Sequence, residues 1–276
     1  MANGGMIGRR NVHGVDGTSG VWGLREVTGV LRRVPGIDAI GGAWSMREIT
    51  DAVRAGAWPP DPYQANVVAL MHMDGTDGST AFTDVKGNTF TPAGNAQIDT
   101  SQSKFGGASG LFDGSGDYFT SGAITGMPLG TGDFTVEFFV RPAIVGSGLA
   151  GLLATPSPSG YVTGGLYIRR SGGTIQVLMN AVSTPVAQAS AAWAANVWIH
   201  VAVTRESGSV RLFIDGVLQG SATTNTTDLT GTTVRFGFST QDAGSYNGWA
   251  DALRITKGVA RYTANFTPPA APFPNG

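Results

Sequence analysis

The chain has no cysteine among its 276 residues, which excludes disulfides, thiol chemistry and cysteine-held zinc. Charge is also scarce: only 13% of residues are Asp, Glu, Lys or Arg, and the formal net charge is −1. That balance gives no electrostatic reason for nucleic acid or an anionic membrane as a partner. No apolar run approaches the roughly 20 residues of a spanning helix, and the N-terminus MANGGMIGRRNVHG lacks the apolar stretch of a classical signal peptide. The protein is therefore expected to be made and assembled in the cytoplasm. Glutamate is nearly missing beyond residue 60, where only Glu137 and Glu206 occur, and the whole chain has 3 histidines. There is no G-x-x-x-x-G-K-[S/T] phosphate loop and no nucleophile elbow. Glycine, by contrast, is abundant at 42 residues, which suits a turn-rich β protein.

The clearest pattern runs from Trp198 to Gly216, WIHVAVTRESGSVRLFIDG. Ile199, Val201 and Val203 alternate with His200, Ala202 and Thr204, and the alternation resumes at Val210, Leu212 and Ile214. A period of two puts one face inside, so these are two strands joined at Glu206–Ser209, with Asp215-Gly216 opening a second hairpin. Further strands are predicted at 67–72, 110–112, 118–120, 134–141, 151–154, 165–170, 174–179, 217–222, 233–238 and 250–256. Many short strands between Gly, Pro and Asn turns predict a mainly β, two-sheet antiparallel sandwich over residues 66–272. The closing Arg261-Tyr262 and Phe266-Thr267-Pro268-Pro269 are expected to lie along the sandwich edge, where proline blocks further pairing.

The string W-x-H-V-A-V-T-R followed by x-L-F-I-D-G resembles the central hairpin of the laminin-G-like, or concanavalin A-like, jelly-roll domain. Val67–Thr91, Ser103–Gly122 and Asp133–Pro142 resemble its other strands, and Trp249–Pro269 resembles the form common in proteins of tailed-bacteriophage particles. The resemblance implies a jelly roll over 67–276, after a linker at 61–66. It leaves activity open, because one fold hosts lectins, hydrolases and purely structural modules. The missing cysteines fit a bacterial or viral member better than a secreted eukaryotic one.

Residues 1–60 carry a repeat: Gly20-Val-Trp-Gly-Leu-Arg-Glu-Val-Thr28 recurs as Gly42-Ala-Trp-Ser-Met-Arg-Glu-Ile-Thr50. Trp22, Arg25 and Glu26 correspond to Trp44, Arg47 and Glu48. Ser45 and Glu48 fit a capping box, which predicts a short helix over Met46–Arg54. Two such short helices cannot bury a core alone. Either they pack on the jelly roll of the same chain, or they dock as an attachment arm on another virion protein or a second copy of this chain. The second copy, with the AVRAGAWPPDP that follows it, resembles a segment of phage structural proteins, which favours docking. The six residues Trp22, Arg25, Glu26, Trp44, Arg47 and Glu48 have the composition of an interface anchor. The expected role is then a non-enzymatic virion protein, a capsid decoration protein in the first instance. A tail- or fibre-associated carbohydrate-binding adhesin is the alternative.

Three chemical sites merit weighing. Retaining glycosidases need two carboxylates about 5 Å apart, but Glu137 has no acidic residue two to four positions after it, so no catalytic residue is assigned. The resemblance implies a structural calcium between the first and last strands, with Asp74 and Asp251 at the matching places and Asp77 as a third ligand; otherwise these are turn aspartates capping their own backbone. Sugar binding would use aromatics in or beside loops, namely Tyr161, Trp193, Tyr246 and Trp249, each of which ordinary edge packing explains equally well.

Overall fold

The computed structural model describes residues 61–146, 148–157, 161–190, 194–239 and 244–275. The arm motif (Trp22, Arg25, Glu26, Trp44, Arg47, Glu48), its expected helix and Trp193 lie outside the described residues.

Strands begin with β1 (Val67–Met71), β2 (Phe82–Thr83), β3 (Thr89–Ala93), β4 (Gln97–Asp99), β5 (Ser109–Asp113) and β6 (Tyr118–Ser121). The middle of the chain supplies β7 (Phe134–Pro142), β8 (Leu149–Thr155), β9 (Leu166–Ser171), β10 (Thr174–Met179) and β11 (Ala187–Ala189). The remainder supplies β12 (Ile199–Glu206), β13 (Ser209–Ile214), β14 (Val217–Leu218), β15 (Thr223–Thr224), β16 (Arg235–Phe236), β17 (Phe238–Ser239), β18 (Gly244–Ser245) and β19 (Asn247–Lys257). Helix is limited, among the described residues, to one 3-10 turn at Gln64–Asn66.

Two antiparallel sheets form the jelly-roll sandwich, and residues 66–273 make one compact unit. The first sheet runs β14-β13-β12-β7-β19-β5-β4, and the second runs β11-β10-β9-β8-β16-β6-β3-β2. The hairpin read from alternation is present: Val201 pairs with Ile214, Val203 with Leu212 and Glu206 with Ser209. Its two-residue turn has Ser207 at φ 47° and Gly208 at φ 79°, and the next turn has Asp215 at φ 48° and Gly216 at φ 76°. Both pairs suit the primed turns that match strand twist.

The core lies between the sheets. Val136, Phe138 and Val140 of β7 face inward with Val201 and Val203 of β12, against Leu153, Ile168, Val177 and Phe236 of the other sheet. Phe236 stacks on Phe119 (5.4 Å between centroids) and meets Phe138 edge-on (5.2 Å).

The long strand β19 organises the first sheet. It pairs with β7 on one side, and on the other with β5 over 247–250 and with β1 over 253–256. The register slips between Asp251 and Arg254, where Ala252 has φ 51°. This bulge inserts one residue and resets the alternation. Ala250 and Leu253 therefore both join the core, while Asp251 pairs opposite Phe139 and Arg254 opposite Glu137.

The C-terminal segment departs from the sequence expectation. It crosses the outer face of the first sheet, reaching the sandwich edge only near β14. Tyr262 and Phe266 stack at 3.6 Å and pack against His200 and Phe213, and Phe273 joins Val67, Leu70, Phe139 and Ala252. The reason is burial: an open sheet face carrying Phe139 and Phe213 gains more from a cover than an edge does.

Candidate functional site

Glu137 sits at the centre of that covered face and is fully buried. Its neighbours come from three distant parts of the chain. Arg254 donates from Nε (2.9 Å) and Nη2 (2.8 Å) to Oε1, and the Tyr262 hydroxyl donates to Oε2 at 2.9 Å. His200 Nε2 lies 3.2 Å from Oε2. Burial alone would push the Glu137 carboxyl up, but Arg254, then His200 and Arg261, hold it down to about 2. An ionised carboxylate only accepts, so His200 Nε2 carries the proton. Both carboxylate oxygens are consumed and a tail covers them. This is a structural ion-pair network with no access for substrate.

The acidic residues proposed for a cation separate into two places. Asp251 is buried, and its Oδ2 accepts from the backbone N–H of Lys104 (2.8 Å) and Phe105 (3.0 Å). Burial first, then the charge of Asp74, pushes Asp251 up to about 7 against those hydrogen bonds. Asp74 closes against the same loop: a Cβ on Gly106 would fall 1.9 Å from its Oδ1. Asp74 and Asp251 therefore lie close enough to feel each other's charge beside the same loop, and two carboxylates are the hard oxygen donors Ca²⁺ takes. Asp77 does not join them. It caps its own neighbourhood, with Oδ1 accepting from Thr100 N (3.0 Å) and Oγ1 (3.3 Å). No group of three His, Asp or Glu side chains is arranged for a metal among the described residues.

The aromatics also separate. Tyr246 is buried (1% exposed), its ring packs on Phe112, and its hydroxyl donates to Trp249 O at 2.8 Å. It cannot stack on a sugar, because the residue read as a loop position precedes β19 directly and points into the core. Tyr161 is half-buried against Ala154, Tyr167 and Leu178 on the second sheet. Trp249 is half-buried on the outer face of the first sheet, with Nε1 donating to Asp99 Oδ2 at 3.3 Å. The Arg141 guanidinium lies 5.1 Å from its ring centroid.

Around Trp249 the registers build a row that sequence reasoning missed. Gln97 pairs with Leu111, Leu111 with Trp249, and Trp249 with Arg141. At the β4 end this row opens into a pocket of about 380 Å³ lined by Thr80, Gly94, Asn95, Gln97, Leu111 and Asp113. Its signal in the sequence is the pair of turns around β4 and β5, which bring Asn95 and Asp113 together: Asn95 Nδ2 donates to Asp113 Oδ2 at 3.1 Å.

Comparison with known proteins agrees with this architecture. The family model described as "Concanavalin A-like lectin/glucanases superfamily" (Laminin_G_3) matches residues 113–261. No curated protein matches the sequence. Among solved structures, domain 4 of AbnA, a GH43 extracellular arabinanase from Geobacillus stearothermophilus in complex with arabinotriose, superposes with TM-score 0.52 at 18% identity. That match covers 70% of this chain and 93% of the other. The botulinum neurotoxin serotype D binding domain gives 0.54 at 14% identity, covering 72% and 49%. A Trypanosoma rangeli sialidase complex gives 0.52 at 14%, covering 71% and 31%. At these identities the likeness is one of fold, and the chain spans about half the length of the neurotoxin structure.

Proposed function

Because the chain belongs to the concanavalin A-like lectin/glucanase superfamily, we propose that it acts as a non-enzymatic structural protein of a tailed-phage particle, with the jelly roll facing outward as a capsid decoration. The observation that carries the non-catalytic part is the state of Glu137. The one carboxylate that a glycosidase reading would choose is locked to Arg254, Tyr262 and His200 beneath the C-terminal segment. The virion part rests on the N-terminal repeat, in which Trp22, Arg25 and Glu26 are matched by Trp44, Arg47 and Glu48. A duplicated aromatic anchor beside an Arg-Glu pair suits docking on a capsid or tail protein, or on a second copy of the chain. Deleting residues 1–60 is expected to leave a soluble jelly roll that no longer incorporates into particles. Normal incorporation of the truncated protein would overturn the attachment role.

A second reading, a tail- or fibre-associated adhesin for host glycans, is favoured by Trp249 standing on an open sheet face beside a polar pocket. Imaging particles that carry a tagged chain separates the two, since the first places the tag on the head and the second on the tail.

A calcium ion held by Asp74 and Asp251 belongs to the same proposal, without Asp77. It would tie the segment after β1 to β19 and supply the positive charge that two adjacent carboxylates need. A ligand that binds only the folded state at a hundred times its Kd stabilises by about 2.7 kcal/mol. Chelator should therefore lower the melting temperature of the wild type and leave that of Asp74→Asn unchanged. Equal melting curves with and without chelator in the wild type would return both residues to loop capping.

A further inference from the structure

We propose that the pocket bounded by Thr80, Gly94, Asn95, Gln97, Leu111 and Asp113 binds one neutral hexose unit of a glycan, and that the adjoining unit rests on Trp249. The inference rests on the second reading, recognition of a glycan, and does not depend on where in the particle the chain sits.

The pocket's volume, about 380 Å³, lies within the range of small-ligand clefts. Its chemistry is that of a polyol site. The Asn95 and Gln97 amides each offer donors and an acceptor, Thr80 a hydroxyl, and Asp113 a carboxylate. The Gln97 amide and the Thr80 hydroxyl form no hydrogen bond within the protein among the described residues, so both can turn to a ligand. Leu111, half-buried, gives an apolar floor for the C–H face of a ring. No Lys or Arg lines the pocket, whereas the exposed Asp113 does. A carboxylate takes hydroxyl donors and repels acids, so sialic and uronic acids are disfavoured and neutral hexoses preferred.

The walls are held in place before any ligand arrives. Asp117 is buried, and its carboxylate accepts from the backbone N–H of Asn95 (2.5 Å, Oδ1) and of Asp113 (2.7 Å, Oδ2). One anion thereby fixes the two walls relative to each other. Gly94, at φ 67°, is required beside it, because a Cβ there would fall 2.3 Å from Asp117 Oδ1. Asp113 is further set by Ser115 N (2.7 Å to Oδ1), and the hydrogen bond from Asn95, then that from Ser115, holds its carboxyl below the usual range. Such preorganisation reduces the ordering cost of binding.

Trp249 extends the site. It sits directly across from Leu111, one strand further into the sheet, about 5 Å away by strand spacing. Its orientation is fixed by Asp99 on one side and Arg141 on the other. A chain of two or three sugars running along the row would place successive rings over Leu111 and Trp249.

The test uses the full chain on an array of immobilised neutral and acidic glycans, followed by calorimetric titration of the best-binding free oligosaccharide. Binding to neutral glycans is expected, weakened roughly tenfold or more in Gln97→Ala and in Asp113→Asn, and unchanged in Val182→Ala, an exposed position outside the pocket. Trp249→Ala should weaken a trisaccharide but not the corresponding monosaccharide. Melting curves of the variants, measured alongside, establish that each is folded. Glycan binding that survives both Gln97→Ala and Asp113→Asn, or that prefers acidic glycans, overturns the pocket while leaving the recognition reading intact. Absence of binding to every glycan also overturns it, and particle incorporation then decides the structural role separately.

Discussion

Replacing Glu137 with alanine is expected to cost about 3–5 kcal/mol of folding stability and to lower the melting temperature by roughly 10 °C. The carboxylate is fully buried and receives Arg254, Tyr262 and His200. Removing it leaves a guanidinium, only 5% exposed for the residue as a whole, without its anion. It also strands the Tyr262 hydroxyl under the tail. Arg254 keeps a contact to the Phe273 ring at 3.8 Å, which cannot replace an ion pair. The companion variant, Glu137→Met with Arg254→Met, should recover much of the loss, because a paired apolar replacement leaves no buried charge behind. If the double variant is as unstable as Glu137→Ala alone, the defect lies in packing and the ion pair is not its source.

The same network has a pH signature. Glu137 is held down to about 2 from an ordinary value of 4.5. A depressed acid contributes stability that is fully present above its unfolded value and is lost as pH falls toward its folded one. The stability difference between wild type and Glu137→Ala should therefore be constant near neutral pH and shrink progressively from about pH 4.5 towards 2. A difference that instead grew in acid would contradict the assignment. Chemical denaturation at a series of pH values measures it directly.

How much of this was legible in the sequence depended on distance along the chain. Local patterns were readable: alternation over 199–214 placed β12 and β13 in register, and Ser207-Gly208 and Asp215-Gly216 turned the chain as their residue types require. The missed strands are those without a pattern. β2, β4, β11, β15 and β18 have only two or three residues each, and β3 includes Pro92, so their identity comes from neighbours across the sheet. Likewise 233–238, read as one strand, is split into β16 and β17 at Gly237 (φ 101°). Long-range sites were half-visible. Asp74 and Asp251 were paired by their places in a resembling fold, but nothing local distinguishes Asp77, which serves Thr100 instead. For Glu137, spacing in the sequence argued only that no second acid stood nearby. Its true partners are 63, 117 and 125 residues away, beyond any local pattern. Tyr246 shows the opposite failure: its place beside a loop suggested exposure, while the backbone turns the ring into the aromatic core.

Changing Gly216 to alanine is expected to detach the C-terminal segment from the sheet it covers. Two costs combine at this position. The backbone is left-handed, at φ 76°, which any residue with a Cβ resists by about 1–2 kcal/mol. In addition, a Cβ would lie 1.9 Å from Phe266 O and 3.0 Å from Pro268 Cδ, so the tail has to move. That movement breaks the hydrogen bond from Phe266 N to Gly216 O (2.9 Å) and pulls Phe266 from its stack on Tyr262. It thereby loosens the hydroxyl that Tyr262 donates to Glu137. Gly220 supplies a matched control, since its φ is 66° but a Cβ there meets nothing within 4 Å. Gly220→Ala should show the backbone cost alone. Hydrogen exchange at the Phe266 amide and limited proteolysis within 259–273 distinguish the two: both should rise sharply in Gly216→Ala and stay at wild-type levels in Gly220→Ala. Equal protection in the two variants would mean that the tail is anchored by Tyr262 and Phe273 and does not depend on its contact with the β13–β14 turn.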